Sequence, residues 1–360
     1  MAPSSTGSGL DTSRLYAATR ALLVAPDPTA YSKTSSSYPI VRVGVIAPQG
    51  WSVVAGWPAV EGEFWPADGS ELLGSVLAAG TNFRHYRDSV GGSAWRLAIR
   101  GTRYFTDSTL VAVIHQSLRR TAETLGPVPV PEVSYTADLG RKGRVSGSLQ
   151  GTSAIGLVWE PSEILDIARS HDTFHETIHL WFGGAMESER WWIEGVTDYY
   201  AARLYSEWTG RAEDLAFLCY QSLRNYERIP HRLRLTMTQE ARQRLGGDNT
   251  DLLVYRKGML AGLLLDAAIR RASSGRRTLD EVARSLLALA AQRPGRRVAE
   301  EEIRSAVRRA GGREAEQVWM RVVAGTAPLT EAEVSEALRQ ITGRALPPPP
   351  LAKAGKELMP

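Results

Sequence analysis

Cysteine is almost missing from this chain. Cys219 stands alone among 360 residues, which excludes an intrachain disulfide and any thiolate-based zinc knuckle. Its setting, AFLCYQSL, reads as a buried helix position. Lysine is scarce too: Lys33, Lys142, Lys257, Lys353 and Lys356 are the only ones. Basic charge therefore rests on arginine, which is interleaved with Asp and Glu along helical stretches. That pattern reads as solvated faces with opposite-charge pairing. A nucleic-acid partner would need a one-sided basic patch, so none is expected. No apolar run approaches the roughly 18 residues of a membrane span. The richest, Met259 to Ile269, is interrupted by Asp266 and reads as a buried helix. The first residues, MAPSSTGSG, lack the basic start and apolar stretch of a signal peptide. The expected compartment is the cytoplasm by default, or an exported location if a signal has been removed.

The pattern along the chain predicts an α+β protein. Residues 1–37, rich in Ser, Thr, Pro and Ala, read as a flexible leader with room for one strand. Residues 38–105 read as a β-rich N-terminal domain, with strands in YPIVRVGVIAP, WSVVAGW and AWRLAIRG between turn signals. Asp107-Ser108 then offers an N-cap for the helical run STLVAVIHQSLRRTAETLG. PVPEVSYTA and SAIGLVWEP read as further strands, and RKGRVSGSLQGT between them as a Gly- and Ser-rich turn. Beyond Pro161 the spacing is helical nearly throughout: 163–182, 190–207, 212–227, 236–244, 250–273, 278–292, 298–310, 314–324 and 330–342. A second, mostly helical domain is expected over 106–345, with a Pro-rich tail over 346–360.

Histidine is rare, yet three of the six fall within nine residues, in HDTFHETIHLWFGG. His175 and His179 are four apart, so on a helix both imidazoles leave one face. Glu176 lies between them. This H-E-x-x-H arrangement supplies two zinc ligands and a carboxylate suited to general-base work. His171 and His175 form a competing pair. One ion cannot take all three, since His171 and His179 lie about 12 Å apart along a helix axis. Glu reaches further than Asp172 would, and the downstream ligand suits His175 and His179 better. His171 is then a structural or supporting residue. Catalytic zinc needs three protein ligands and one open position. Gly183-Gly184 ends the first helix, and RWWIEGVTDYYAARLY opens a second that can return Glu194 to the histidines. Asp198, one turn later, is placed to hydrogen-bond the outer nitrogen of a zinc-bound histidine. Trp191, Trp192, Tyr199 and Tyr200 read as core packing.

HETIHLWFGG, WWIEGVTDYYAARLY and LLVYRKGMLAGLLLDAAIRRASSGRRTLDEV together resemble the glycyl aminopeptidase family of gluzincin zinc metallopeptidases, and more distantly the aminopeptidase N family. The likeness spans about 160–345, with a fainter echo in APQGW. It implies a thermolysin-like, mostly helical catalytic domain behind an N-terminal β-rich domain, and one zinc ion. It also implies that Tyr255, in VYRKG, points at the zinc site and stabilises an oxyanion. Two departures stand out. Members carry a Gly-x-Glu type strand motif whose carboxylate helps hold the substrate's free α-amine. In GSLQGTSAIGLV, Gln150 stands in that place, followed by Gly151. The PDZ-like domain that members often carry has no counterpart here. The gap between His179 and Glu194 is also short for the group.

The expected activity is peptide-bond hydrolysis by a zinc-activated water. Glu176 is the general base and Tyr255 the oxyanion donor. His175, His179 and Glu194 are the ligands, with Asp198 behind them and Gln150 and Gly151 against the substrate. The mode is aminopeptidase-like. One rival is a zinc endopeptidase or small-amide hydrolase without the free-amine anchor. The other is a catalytically silent binding module on the same fold.

Overall fold

The structure is a computed structural model. It describes residues 9–11, 14–18, 42–57, 59–60, 63–66, 75–101, 105–139, 146–150, 153–159, 167–243 and 252–348. The architecture is α+β, with strands in the first half of the chain and helices in the second. Two compact units are present. One comprises Met1–Arg119 and Val128–Leu180, the other Arg120–Pro127 and Trp181–Pro360.

The first unit begins with β1 (Gly9–Asp11), β2 (Arg14–Ala18), β3 (Ser52–Ala55), β4 (Ala59–Val60), β5 (Glu63–Phe64) and β6 (Val76–Gly80). Four of these form an antiparallel sheet in the order β1-β2-β6-β3, and β4 pairs with β5. Strands therefore lie inside the stretch expected as a leader. The alternating run at 42–48 forms no strand of its own. It contributes only a bridge between Val43 and Phe64, because alternation does not by itself supply a neighbour to pair with.

A second sheet of five strands carries the site. Its strands are β7 (Arg84–Val90), β8 (Ser93–Gly101), β9 (Glu132–Leu139), β10 (Ser146–Gln150) and β11 (Ala154–Trp159), ordered β10-β11-β9-β8-β7. Gly91 and Gly92, at φ 58° and 88°, make the two-residue turn that pairs Val90 with Ser93. Such a turn needs positive φ at both positions, which glycine supplies without strain. β8, β9 and β11 run parallel to their neighbours in the middle, and β11 is buried along its whole length. A strand covered on both faces reads as a continuous apolar run, as AIGLVW does. Parallel β8 and β9 are joined by helix α1 (Asp107–Leu125). Asp107 at its start accepts from Tyr86 Oη (2.5 Å) and Arg84 Nε (2.9 Å). The stretch RKGRVSGSLQGT, expected as a turn, holds β10, the antiparallel partner of β11. This sheet also joins strands from both sides of the boundary expected near residue 105.

Helix α2 (Ile167–Ile178) completes the first unit and ends before the expected 182; the expected start at 163 lies outside the described residues. A buried hydroxyl cluster sets its rotation. Thr177 Oγ1 donates to the Thr173 carbonyl at 2.7 Å, and the hydroxyls of Tyr135 on β9 and Ser117 on α1 each lie 2.9 Å from it. Burial pushes the Tyr135 phenol above its ordinary range, so it stays a donor.

The second unit is helical. Trp191–Val196 is wound as a π-helix and continues directly into α3 (Thr197–Thr209). Then come α4 (Ala212–Glu227), α5 (Met237–Gln243), α6 (Leu252–Ala272), α7 (Leu279–Ala291), α8 (Glu300–Val318) and α9 (Glu331–Thr342). The expected break between two helices at 311–313 is a kink at Gly312 (φ 60°, ψ −147°), and α8 runs on into a π-helical turn at Trp319–Val323. α6 is buried on every side from Lys257 to Ile269 and is the central helix, packed by the 191–209 helix, α4, α8 and α9.

Its one fully buried carboxylate, Asp266, is completely engaged. Tyr199 Oη donates at 2.5 Å, the Leu279 amide at 2.8 Å, Arg270 Nε at 3.2 Å and Arg203 Nη1 at 3.3 Å. Arg203, itself buried, also binds Asp280 at 2.6 Å. Removing one partner from such a cluster leaves an uncompensated buried charge, which typically costs about 3–5 kcal/mol. Asp266→Ala should therefore lower unfolding stability by that order in urea titrations, well beyond the effect of an exposed Asp88→Ala. Equal losses in the two variants would refute this account.

Candidate metal centre

His175 and Glu176 sit on the last turn of α2. His179 lies one residue past its end, and its amide still reaches the His175 carbonyl at 3.2 Å. The spacing of four places the two rings over one another. Their Nε2 atoms are 2.9 Å apart, with ring centroids at 4.5 Å and planes nearly perpendicular. Two nitrogens that approach this closely are aimed at one point. His171, one turn earlier, has its ring centroid 6.2 Å from that of His175 and lies beside Asp172.

Glu194 belongs to the π-helical turn that opens the 191–209 helix. Ligand atoms of His175, His179 and Glu194 all lie within 4.8 Å of one another, and no other such group of three occurs among the described residues. His171 is outside the group, as the sequence implied. Two imidazoles and one carboxylate match the three-ligand set that catalytic zinc uses, with a fourth position left open. Bonds of about 2.0–2.1 Å at tetrahedral angles separate two nitrogen ligands by about 3.3 Å. The histidine nitrogens need to part by only a few tenths of an ångström. The donor set therefore fits a single zinc ion.

Glu176 is buried against β10. A Cβ on Gly147 would lie 2.4 Å from Glu176 Cγ and 3.0 Å from its Cδ and Oε1. The absent side chain at 147 is what gives the carboxylate its space. Gln150 closes the same strand, paired with Ala154. Gly151 lies outside the described residues.

Tyr255 and Asp198 gather around Glu194. Tyr255, in the first turn of α6, hydrogen-bonds the Glu194 carboxylate. Burial first, and the negative charges of Glu194 and Asp198 next, hold its phenol well above the ordinary tyrosine range. It is a neutral O–H donor at physiological pH. Asp198 is buried one turn after Glu194 on the same helix.

Two glycines bring these helices together. A Cβ on Gly195 would meet Gly258 Cα at 2.4 Å and the Val254 carbonyl oxygen at 2.5 Å. One on Gly258 would meet Gly195 Cα at 2.8 Å and the Trp191 carbonyl oxygen at 2.9 Å. The backbones touch at this crossing, between Glu194 on one helix and Tyr255 on the other. The wider π-helical winding frees carbonyls from the regular ladder, and the Thr197 hydroxyl takes that of Ile193. Gly147, Gly195 and Gly258 were not singled out from the sequence. For Gly195 and Gly258 the available signal was a glycine inside a helical pattern, beside Glu194 and within one turn of Tyr255; Gly147, in a stretch that reads as a turn, gave none.

No family model matches this sequence, and no curated protein matches it. Solved structures do. An aminopeptidase N family protein from Idiomarina loihiensis superposes with a TM-score of 0.77 at 16% identity, over 92% of this chain and 62% of that one. An M1 zinc metallopeptidase from Deinococcus radiodurans gives 0.61 at 18% identity, over 91% and 73%. A mutant of that protein bound to a Tyr-Ser-Ala substrate gives 0.56 at 20% identity, over 81% and 64%. The chain thus spans about three fifths of the Idiomarina protein's length, and at these identities the likeness is one of fold.

Zinc dialysed into metal-free protein should bind at one ion per chain by atomic absorption. Glu194→Ala should weaken that binding at least about tenfold, since it removes one of three ligands. Unchanged affinity in the variant would strike Glu194 from the set.

Proposed function

We propose that this protein is a zinc metallopeptidase with a thermolysin-like catalytic arrangement, in which residues 106–345 form the catalytic domain. The observation that carries the reading is the convergence of His175, His179 and Glu194 with Glu176 beside them. The shared fold with M1 zinc metallopeptidases adds to it. The silent-module reading has nothing in its favour, because each residue the chemistry needs is present.

When bound, zinc acts as a Lewis acid and brings the pKa of a water towards neutrality. Glu176 takes the proton of the attacking water and passes one to the leaving amine. Its freedom to do so comes from the bare backbone at Gly147. Tyr255, hydrogen-bonded to Glu194 in this structure, would turn its single O–H to the oxyanion of the tetrahedral intermediate when Glu194 holds the metal. A donor aimed where charge develops is worth about 3–4 kcal/mol. Asp198 orients a ligand histidine through its outer nitrogen, a contact that sets ring angle and basicity.

A peptide is the substrate class that β10 suits. It is the edge strand of the five-stranded sheet, and Gly147 within it lies on Glu176. An edge strand, as β10 is among the described residues, can offer main-chain donors and acceptors to an extended chain. The Tyr-Ser-Ala ligand of the Deinococcus relative is consistent with this. Gln150, with Gly151 after it, would meet the substrate's amino end. A neutral amide accepts a hydrogen bond but offers no counter-charge to an ammonium group. That favours a second reading, in which blocked peptides or small amides are also cleaved.

Glu176→Gln should keep one zinc per chain and lose peptide turnover by at least about three orders of magnitude, as the combined loss of base and acid requires. Full activity in that variant would end the mechanism. A peptide library with free N-termini, compared with the same library acetylated, separates the two modes. Stepwise cleavage of free peptides alone identifies an aminopeptidase. Equal cleavage of both identifies an endopeptidase or amidase.

A further inference from the structure

The first turn of α6 is held from outside the helix. Its opening amides have no carbonyl partner within it. Glu240, on α5 and fully buried, supplies one: its Oε2 accepts the Val254 amide at 3.0 Å, and the carboxylate also accepts from the Leu253 amide. Its other oxygen lies 2.5 Å from His231 Nε2, a ring about a quarter exposed. A negative carboxylate suits a helix N-terminus, where amide dipoles add up to a partial positive charge. The residue immediately after the two clamped amides is Tyr255.

We propose that Glu240 is a positioning residue for Tyr255, with His231 orienting its carboxylate. The inference rests on Tyr255 being the oxyanion donor. Two constraints bracket that side chain. Gly258, three residues on, seats α6 against the Glu194 helix. Glu240 holds the residues just before it. Helix ends fray when their amides lose partners, and a catalytic donor displaced by about 1 Å can lose about a hundredfold in rate. The hydrogen bonds of Glu240 go to His231 and to the two amides before Tyr255. Because α5 also packs on Trp191–Val196, zinc content is read beside kcat to separate an effect on Glu194 from one on Tyr255.

The test is a double-mutant cycle on zinc-loaded enzyme, with kcat, KM and zinc content read for each variant. Glu240→Ala is expected to lower kcat about 10- to 100-fold, with KM and zinc unchanged. Glu240→Gln should recover to within about threefold of wild type, because its amide oxygen still accepts a backbone N–H and its nitrogen still meets His231. In a Tyr255→Phe background, Glu240→Ala should add less than about threefold. An equal further loss in that background overturns the proposal, as does wild-type kcat in Glu240→Ala. If Tyr255→Phe itself keeps wild-type kcat, the oxyanion assignment fails and the proposal falls with it. That outcome is distinct from additivity, which sinks the proposal alone. Should Glu240→Ala not fold, His231→Ala runs the same cycle. A kcat loss present in wild type and absent in Tyr255→Phe supports the proposal, and any other pattern overturns it.

Discussion

The contact on which the helical unit depends is between two backbones. Gly195 and Gly258 let the 191–209 helix and α6 touch without intervening side chains. Each glycine costs its helix about 1 kcal/mol relative to alanine. The return is positional. Glu194 precedes one glycine by a residue and Tyr255 precedes the other by three, so this crossing brings the carboxylate and the phenol into hydrogen-bond contact. The π-helical winding at Trp191–Val196 belongs to the same device, since it turns Glu194 and shifts Gly195 into the crossing. Around it, large aromatics that read as core do serve as core. Trp191, Trp192, Tyr199 and Tyr200 are all buried, and Trp191 packs edge-on against Trp319.

The first unit solves a similar problem with different chemistry. Its zinc-motif helix is short, and a hydroxyl cluster rather than apolar packing alone defines which face meets the sheet. Thr177 faces inward, so His175 and Glu176 on the preceding positions are turned elsewhere. Gly147 then leaves room for the Glu176 carboxylate. Buried polar groups of this kind specify one orientation, because any rotation would leave hydroxyls unpaired at a cost of about 1–3 kcal/mol each. The Asp266 cluster plays that part within the second unit, tying α3, α6 and the start of α7 to one carboxylate.

Much of this was legible in the order of residues. The spacing of His175, Glu176 and His179 is a local matter, because an α-helix turns i and i+4 to one side whatever surrounds it. That one ion cannot take all three histidines followed from helix rise and bond length, and the choice against His171 from the reach of Glu176 over Asp172 and from the downstream carboxylate. The break at 311–313 was visible for a like reason, since it depends on backbone freedom at Gly312 itself. Glu194 could be proposed because the loop from His179 is short enough to bring a second helix back.

What the sequence left open depends on partners far along the chain. RKGRVSGSLQGT looked like a turn, since glycine and serine disfavour strands locally. It pairs as β10 because β11 offers a free edge. The alternating residues at 42–48 looked like a strand and contribute only the bridge of Val43 to Phe64. The sheet crossing residue 105, the backbone contact of Gly195 with Gly258, and the clamp of Glu240 on the amides before Tyr255 all join residues dozens of positions apart or held by different elements. By itself the sequence determined which imidazoles and carboxylates could serve a metal and their helical spacing, because those are properties of neighbouring residues. The tertiary structure decided the contacts within each unit, Gly147 against Glu176 and Tyr255 against Glu194, because steric closeness and buried hydrogen bonds exist only once distant segments are packed.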